Sequence, residues 1–383
     1  MVGKMKKIFL VFDQLPHKKD GGLIATYVRF IQAFSDKYEI SIVSIFNNGG
    51  NDIRELSSTP IINLSKYNID NRFYNAVSYL KKGRFKDCAH AFFSAILFFL
   101  FIPIARKKSK NLLSDAIIIA SSPAAAIFLS KKVRYILEIH TKYEYFWGNN
   151  LIGRLQSALI PKPTLAIFRN KADAEKAANK FSSDYIYNGF DNSEIPHQTE
   201  IQLRNRKPFS ALYVGGLVEH KNPMMLLECA QLIKKEIPSF TLDIYGTGDL
   251  KRRLKEEIIK RDLQNTVSLK GFTEDKSVYL NYELFWFTSK LDGFGLVLIE
   301  SMANATPVIT TNWGDGVFEV IKNGETGFVV ENKIDFVNKS IELFRDPEKR
   351  ISFGLNAQRD FEERFTMKKN EEQWISILDS FDN

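Results

Sequence analysis

Between residues 205 and 345 short apolar runs alternate with amphipathic stretches, and few folds accept that pattern. Residues 209–214, 240–245, 267–271, 284–288, 307–310 and 327–330 read as strands. Residues 223–236, 250–261, 295–303 and 334–345 read as helices, with a short one at 275–281. Short apolar strands alternating with amphipathic helices specify a parallel, doubly wound sheet. Right-handed crossovers then place every strand-to-helix loop along one edge. The loops after Val214, Tyr245, Gly271 and Thr288 therefore converge, and they carry Lys221, Gly246 with Gly248, Thr273 and Asp292.

The first half is α/β in kind but less regular. Residues 8–12, 39–45, 116–120, 135–140 and 165–168 read as strands and 22–35 as the first helix. A chain of 383 residues exceeds one ordinary core, so two domains are expected. Residues 192–206 are polar, contain Pro196 and lack periodicity, which marks them as the linker. The expected domains are 1–195 and 205–366, with an amphipathic helix at 368–381. The N-terminal apolar run is only five residues and ends at Asp13 and Gln14, so it reads as a buried strand and not a secretion signal. Cys88 and Cys229 lie far apart, which argues against a disulfide framework and for a reducing, cytoplasmic setting.

Charge is unevenly spread. Residues 1–200 hold 28 Lys and Arg against 17 Asp and Glu; residues 201–383 hold 25 against 28. A basic first half points to an anionic partner such as a membrane surface, a phosphorylated lipid or an acidic polymer. No nucleic-acid-binding motif is present, and nucleic acid is not expected. Residues 89–105 form an apolar stretch between two basic clusters. It has three readings: a helix buried against the first sheet, a helix docked into an anionic membrane surface, or a membrane span. Its length, His90, Pro103 and the lysines on both sides weigh against the span. The five histidines are scattered, and no cluster has metal-ligand spacing.

Chemistry concentrates at 292–300. Asp292 and Glu300 stand eight positions apart across a glycine-containing loop that enters a helix. A helix N-terminus offers unpaired N–H groups to phosphate or hydroxyl oxygens. Glu300, one turn in, can accept two hydrogen bonds from a vicinal diol, and Asp292 can accept from a second sugar. Lys221 can neutralise a diphosphate. Gly21 and Gly22 allow close approach of backbone to phosphate. His140 is expected at the end of a strand, with Glu138 two residues before it.

These motifs together resemble the retaining GT-B glycosyltransferases, in particular glycosyltransferase family 4. The matching segments are Asp292 to Glu300, the stretch Ala305-Thr306-Pro307-Val308-Ile309, Val214-Gly215-Gly216-Leu217 with Lys221, Tyr245-Gly246-Thr247-Gly248, and Val320 to Val329, which resembles the family's closing strand. The resemblance covers 205–335 well and the first 200 residues weakly. It implies two Rossmann-like domains facing an interdomain cleft, with helix 367–383 crossing back to the first. It implies that Glu300 holds the ribose and Lys221 the diphosphate. Asp292 and the backbone of Phe294, Gly295 and Leu296 would hold the sugar, with Gly246 and Thr273 in the donor site. His140, Gly21 and Gly22 would serve it from the first domain.

The donor implied is a nucleotide sugar, UDP first, with no cofactor and no metal. The expected acceptor is a glycan or lipid-linked glycan in cell-surface polysaccharide synthesis, placed at the inner face of the plasma membrane on the strength of the basic first half. The family carries Arg where this chain has Gly216, and Arg29 or His220 are the candidate replacements. A second reading is a non-catalytic subunit of this fold. A dinucleotide-dependent dehydrogenase is disfavoured, because Gly246 and Gly248 lack the third glycine of its fingerprint.

Overall fold

The computed structural model describes residues 5–15, 22–46, 58–65, 85–113, 115–147 and 157–382. The chain forms two compact units. The first comprises Met1–Arg169, Asp173–Ile186 and Gln373–Asn383, and the second Asn170–Ala172 and Tyr187–Glu372.

In the first unit the strands are β1 Lys6–Gln14, β2 Tyr38–Phe46, β3 Ile61–Asn63, β4 Ile117–Ala120, β5 Ile136–Ile139, β6 Leu165–Phe168 and β7 Ser183–Tyr185. They pair in parallel in the order β3-β2-β1-β4-β5-β6-β7. β4 and β5 are buried at every position, β2 from Ile40 to Phe46 and β1 from Ile8 to Phe12, as strands covered on both faces must be. On one side the Gly22–Phe34 helix packs with Trp374, Ile377, Leu378 and Phe381 from the C-terminal helix Met367–Asp382. On the other, Phe98 and Ile102 of the long helix Phe85–Leu112 meet Phe46 and Phe128.

In the second unit β8 Lys207–Val214, β9 Thr241–Tyr245, β10 Val267–Gly271, β11 Tyr282–Phe287, β12 Val308–Thr311 and β13 Gly327–Val330 pair in parallel as β10-β9-β8-β11-β12-β13. β11 is buried at all six positions, whereas the edge strand β10 alternates. Trp286 of β11 is fully buried and stacks on Phe240 at 5.3 Å. Pro223 opens the helix Pro223–Glu236 at its first position, after Asn222 at φ 50°. A fixed proline φ suits the first helical residue, and asparagine tolerates the left-handed turn before it.

The boundary differs from the expected linker. The chain passes between units at Ile186 and Tyr187, and residues 192–206 belong to the second unit. The helix Glu200–Arg204, with a Thr199–Gln202 capping box, lies there, and the Arg206 guanidinium is buried. Arg206 donates to the carbonyls of Tyr282, Asn304 and Ala305 and to Thr306 Oγ1. The segment is largely exposed, but Gln198, Leu203 and Arg206 are buried and anchor it to the second unit. The helix Pro347–Arg364 and the short strands β3 and β7 were not expected. Among the described residues no helix is long and apolar enough to cross a membrane, which removes the spanning reading of 89–105. Cys229 is free and buried, and burial pushes its thiol up to about 12.

Candidate functional site

The strand order of the second unit reverses between β8 and β11: β9 and β10 extend to one side, β12 and β13 to the other. In open α/β sheets the crevice beyond the carboxyl ends of strands at such a reversal is where ligands bind. The loops leaving β8 and β11 flank it. Lys221 stands in the first and Asp292 in the second, and the two form an ion pair. Lys221 Nζ also lies 5.3 Å from the centroid of the Phe287 ring, which supports a cation. Its carbonyl accepts from Thr288 Oγ1 at 3.1 Å, which ties the two loops together.

Asp292 organises the turn it opens. Its Oδ1 accepts from the N–H groups of Gly293 (2.8 Å), Phe294 (3.3 Å) and Gly295 (3.1 Å), leaving Oδ2 for Lys221. Gly295 then precedes the helix Leu296–Ala303 at φ 82°, and a Cβ there would meet Leu298 Cδ1 at 2.8 Å. The left-handed backbone favours glycine, and a Cβ would also have to push the Leu298 side chain aside. The Phe294 ring is buried against Tyr187 and Phe365, so only its backbone faces the loop. The first N–H groups of the helix, from Leu296 on, have no partner four residues earlier within it.

Glu300 is buried one turn into that helix. Its Oε1 accepts from Lys276 Nζ at 2.6 Å and its Oε2 from Tyr279 OH at 2.8 Å. Burial, and then the Glu300 charge, hold the Tyr279 hydroxyl well above its ordinary range, so it stays a donor. Asn304 Nδ2 bonds the carbonyls of Lys276 (3.1 Å) and Glu300 (2.8 Å), and Thr306 Oγ1 bonds that of Tyr279 at 3.0 Å. Asn304 and Thr306 thus fix the 276–279 turn against the Glu300 helix. Lys276 and Tyr279 were not anticipated. The signal was present only as a Lys and a Tyr three apart in the polar segment between β10 and β11.

Gly246 and Thr273 make local contacts in the loops after β9 and β10. Gly246 donates to Gly271 O at 2.7 Å, and a Cβ on it would lie 2.0 Å from Gly215 O. Thr273 Oγ1 accepts from Asp275 N at 3.1 Å and shapes the turn after β10. Gly216 is different: a Cβ there meets nothing closer than Val218 Cγ2 at 3.6 Å. His220 is exposed and its carbonyl accepts from Lys290 N at 2.8 Å.

His140, Gly22 and Arg29 belong to the first unit, and Gly21 lies outside the described residues. β5 ends at Ile139, so His140 is the first residue beyond the strand and not its last. Glu138 shares its strand face. Glu138 ion-pairs with Arg169 and accepts from Tyr27 OH at 2.5 Å. Tyr27 OH lies 3.2 Å from His140 Nε2, and Arg169 Nε donates to His140 Nδ1 at 3.3 Å. Burial, then the Arg169 charge, hold the imidazole well below its usual range. His140 is therefore a neutral ring whose Nδ1 accepts a hydrogen bond from Arg169 Nε, which places its own proton on Nε2. Gly22 is the first residue of the Gly22–Phe34 helix, and Arg29 lies on it, half-buried. Among the described residues no group of three or more His, Cys, Asp or Glu side chains is placed to hold a metal.

Residues 194–360 match the family described as glycosyl transferases group 1. An uncharacterized glycosyltransferase of Haemophilus influenzae is 27% identical over 283 residues, 71% of this chain and 78% of that protein. The poly(glycerol-phosphate) alpha-glucosyltransferase of Bacillus subtilis is 30% identical over 175 residues, 44% of this chain but only 26% of that enzyme. The crystal structure of S. aureus TarM with fondaparinux, alpha-GlcNAc-glycerol and UDP superposes with a TM-score of 0.73, covering 99% of this chain and all of that one. Its 17% identity carries the fold alone. Residues 194–360 are thus similar to the glycosyl transferases group 1 family, and with its two parallel-sheet units the chain has the GT-B fold.

Proposed function

We propose that the chain transfers a sugar from a nucleotide sugar, a UDP-sugar first, to a glycan or lipid-linked acceptor in cell-surface polysaccharide synthesis. One observation carries this: the two carboxylates at 292 and 300 sit at the strand-order reversal, each already holding a lysine. A donor diphosphate would draw Lys221 away from Asp292. That would free Asp292 Oδ2 for sugar hydroxyls while Oδ1 keeps the turn. Glu300 has lone pairs beyond the two used by Lys276 and Tyr279 and can take a ribose diol. Gly246 and Thr273 shape the loops around this donor. His140, Gly21 and Gly22 keep a role by resemblance alone.

The transfer is read as retaining. Charge grows on the departing diphosphate, where Lys221 and helix dipoles act in place of a metal ion. The diphosphate itself takes the acceptor proton, so no protein nucleophile and no cofactor are needed. The known relatives fit this reading. One is named for glucosylating poly(glycerol phosphate), and one structure contains UDP with a glycosylated glycerol.

The test is release of nucleoside diphosphate from a panel of nucleotide sugars, with and without excess chelator. Release from a UDP-sugar, unchanged by the chelator, is expected, with the product anomer matching the donor by NMR. Complete loss restored by added metal would overturn the metal-free reading. No release from any donor by the purified chain would favour the non-catalytic subunit.

A further inference from the structure

The geometry points to a membrane-docking face on the Phe85–Leu112 helix of the first unit, with an anionic lipid bilayer surface as its occupant. The helix is apolar on both sides. One side, Phe98, Ile102 and Ala105, is buried at 2%, 6% and 0% exposure. The other carries Phe93, Ile96, Leu97, Leu100 and Ile104, at spacings of three, four, seven and eleven from Phe93, which places them on one stripe. Phe93 is 61% exposed and Leu100 63%. A helix that is apolar all round is normally covered all round, yet here five large apolar side chains in a row face outward. The stripe from 93 to 104 is about 17 Å long, a continuous patch rather than scattered residues.

The charges bracketing this stripe choose the occupant. Lys86 is seven residues before Phe93 and Lys107 seven after Leu100, so both fall on the same stripe, and both are exposed. Lys110 is exposed beside them. A protein partner would need the apolar residues but gives no reason for a lysine at each end. An anionic bilayer uses both: the apolar side chains enter the acyl boundary while the ammonium groups stay at the headgroups. The excess of basic residues in the first half adds long-range attraction of the same sign. The helix lies on such a surface and does not cross it, in keeping with the burial of its other side. This placement is independent of the donor reading, and its test uses no donor.

The experiment is co-sedimentation of the full chain with vesicles of phosphatidylglycerol and phosphatidylcholine, and with phosphatidylcholine alone. Binding to the anionic vesicles is expected, and it should weaken as salt rises. Leu97→Glu with Leu100→Glu should lower it at least tenfold without lowering Tm, since both leucines are exposed. Lys107→Ala should lower it roughly fivefold. Sedimentation velocity of the same proteins tests the other occupant. No binding of the wild-type chain to anionic vesicles overturns the proposal. So does equal binding by the double Glu variant, or a wild-type oligomer that this variant dissociates, which would make a second copy the cover.

Discussion

Glu138 and Glu300 are both buried carboxylates that accept a tyrosine hydroxyl and a cation, but their cations differ. Arg169 on Glu138 is 1% exposed, whereas Lys276 on Glu300 is 42% exposed, and Lys221 on Asp292 is 22% exposed. The first-unit pair is sealed, so its partners have nowhere else to go. The second-unit pairs reach solvent through the lysine, so a ligand can replace either partner's contact at modest cost. A sealed pair serves as scaffold; a half-open one can exchange with substrate. The same chemical groups thus play different parts because of who shares their surface with water.

The largest expected effect tests the sealed pair. Arg169→Met leaves Glu138 buried without its cation, and breaking a buried pair from one side costs about 3–5 kcal/mol. The matched change in the other unit, Lys276→Met, removes a half-exposed partner and should cost under about 1 kcal/mol. Chemical denaturation of both variants measures this. Equal losses would abolish the distinction.

Next comes exchange itself. Lys221→Ala should lower kcat roughly a hundredfold, because its charge matters most as the diphosphate departs. Donor affinity should change less, and Asp292 keeps its three backbone bonds, so the fold should hold. Glu300→Gln should instead weaken nucleotide binding about ten- to a hundredfold, by calorimetry. An equally active Lys221→Ala enzyme would place the diphosphate elsewhere.

A smaller effect concerns His140. Its folded pKa is depressed, so the unfolded chain binds the proton more readily. The stability it confers is therefore complete above about pH 6.5, the unfolded value, and falls as pH drops below that toward the folded pKa. The slope it adds is at most about 1.4 kcal/mol per pH unit. His140→Phe should flatten the dependence of unfolding free energy on pH in that window. An unchanged profile would show that the ring is not sealed with its neighbours.

The contrast also explains what could be read from residues alone. The helix Pro223–Glu236 and the strands Val267–Gly271 and Gly327–Val330 fall where periodicity and breakers put them. These elements bury apolar side chains in a regular period. The helix Pro347–Arg364 was hidden because part of its inner face is polar: Arg350 pairs with Glu283 at 2.6 Å, and Gln358 donates to Ala303 O at 3.0 Å. It also contains Gly354, where a Cβ would lie 2.5 Å from Ala305 O. Close helix approach, not flexibility, requires that glycine. Residues 192–206 misled for the same reason, with Arg206 deep in the unit and burial lowering its guanidinium to about 9. In the site, Asp292, Lys221 and Glu300 were legible as motif. Lys276, Tyr279, Tyr27 and Arg169 were not, because their importance lies in which carboxylate they reach across 21 to 111 positions.

The smallest effect probes the missing cation. Gly216 follows β8 in the loop that leads to Lys221, at the strand-order reversal. A side chain is sterically welcome there, since the nearest heavy atom to a new Cβ is 3.6 Å away and no left-handed φ stands in the way. Gly216→Arg should therefore fold normally. If the diphosphate sits between the β8 and β11 loops, the guanidinium can reach it bidentately. Ordering a long side chain offsets part of that gain, so the net should be about 1 kcal/mol, roughly fivefold tighter nucleotide binding. Paired with Lys221→Ala, the new arginine should recover part of the lost kcat, because it restores positive charge to the half-open side of the molecule. A Gly216→Arg protein with unchanged stability and unchanged nucleotide affinity would show that this loop does not face the diphosphate, and with it the exchange assigned to Lys221 would fall.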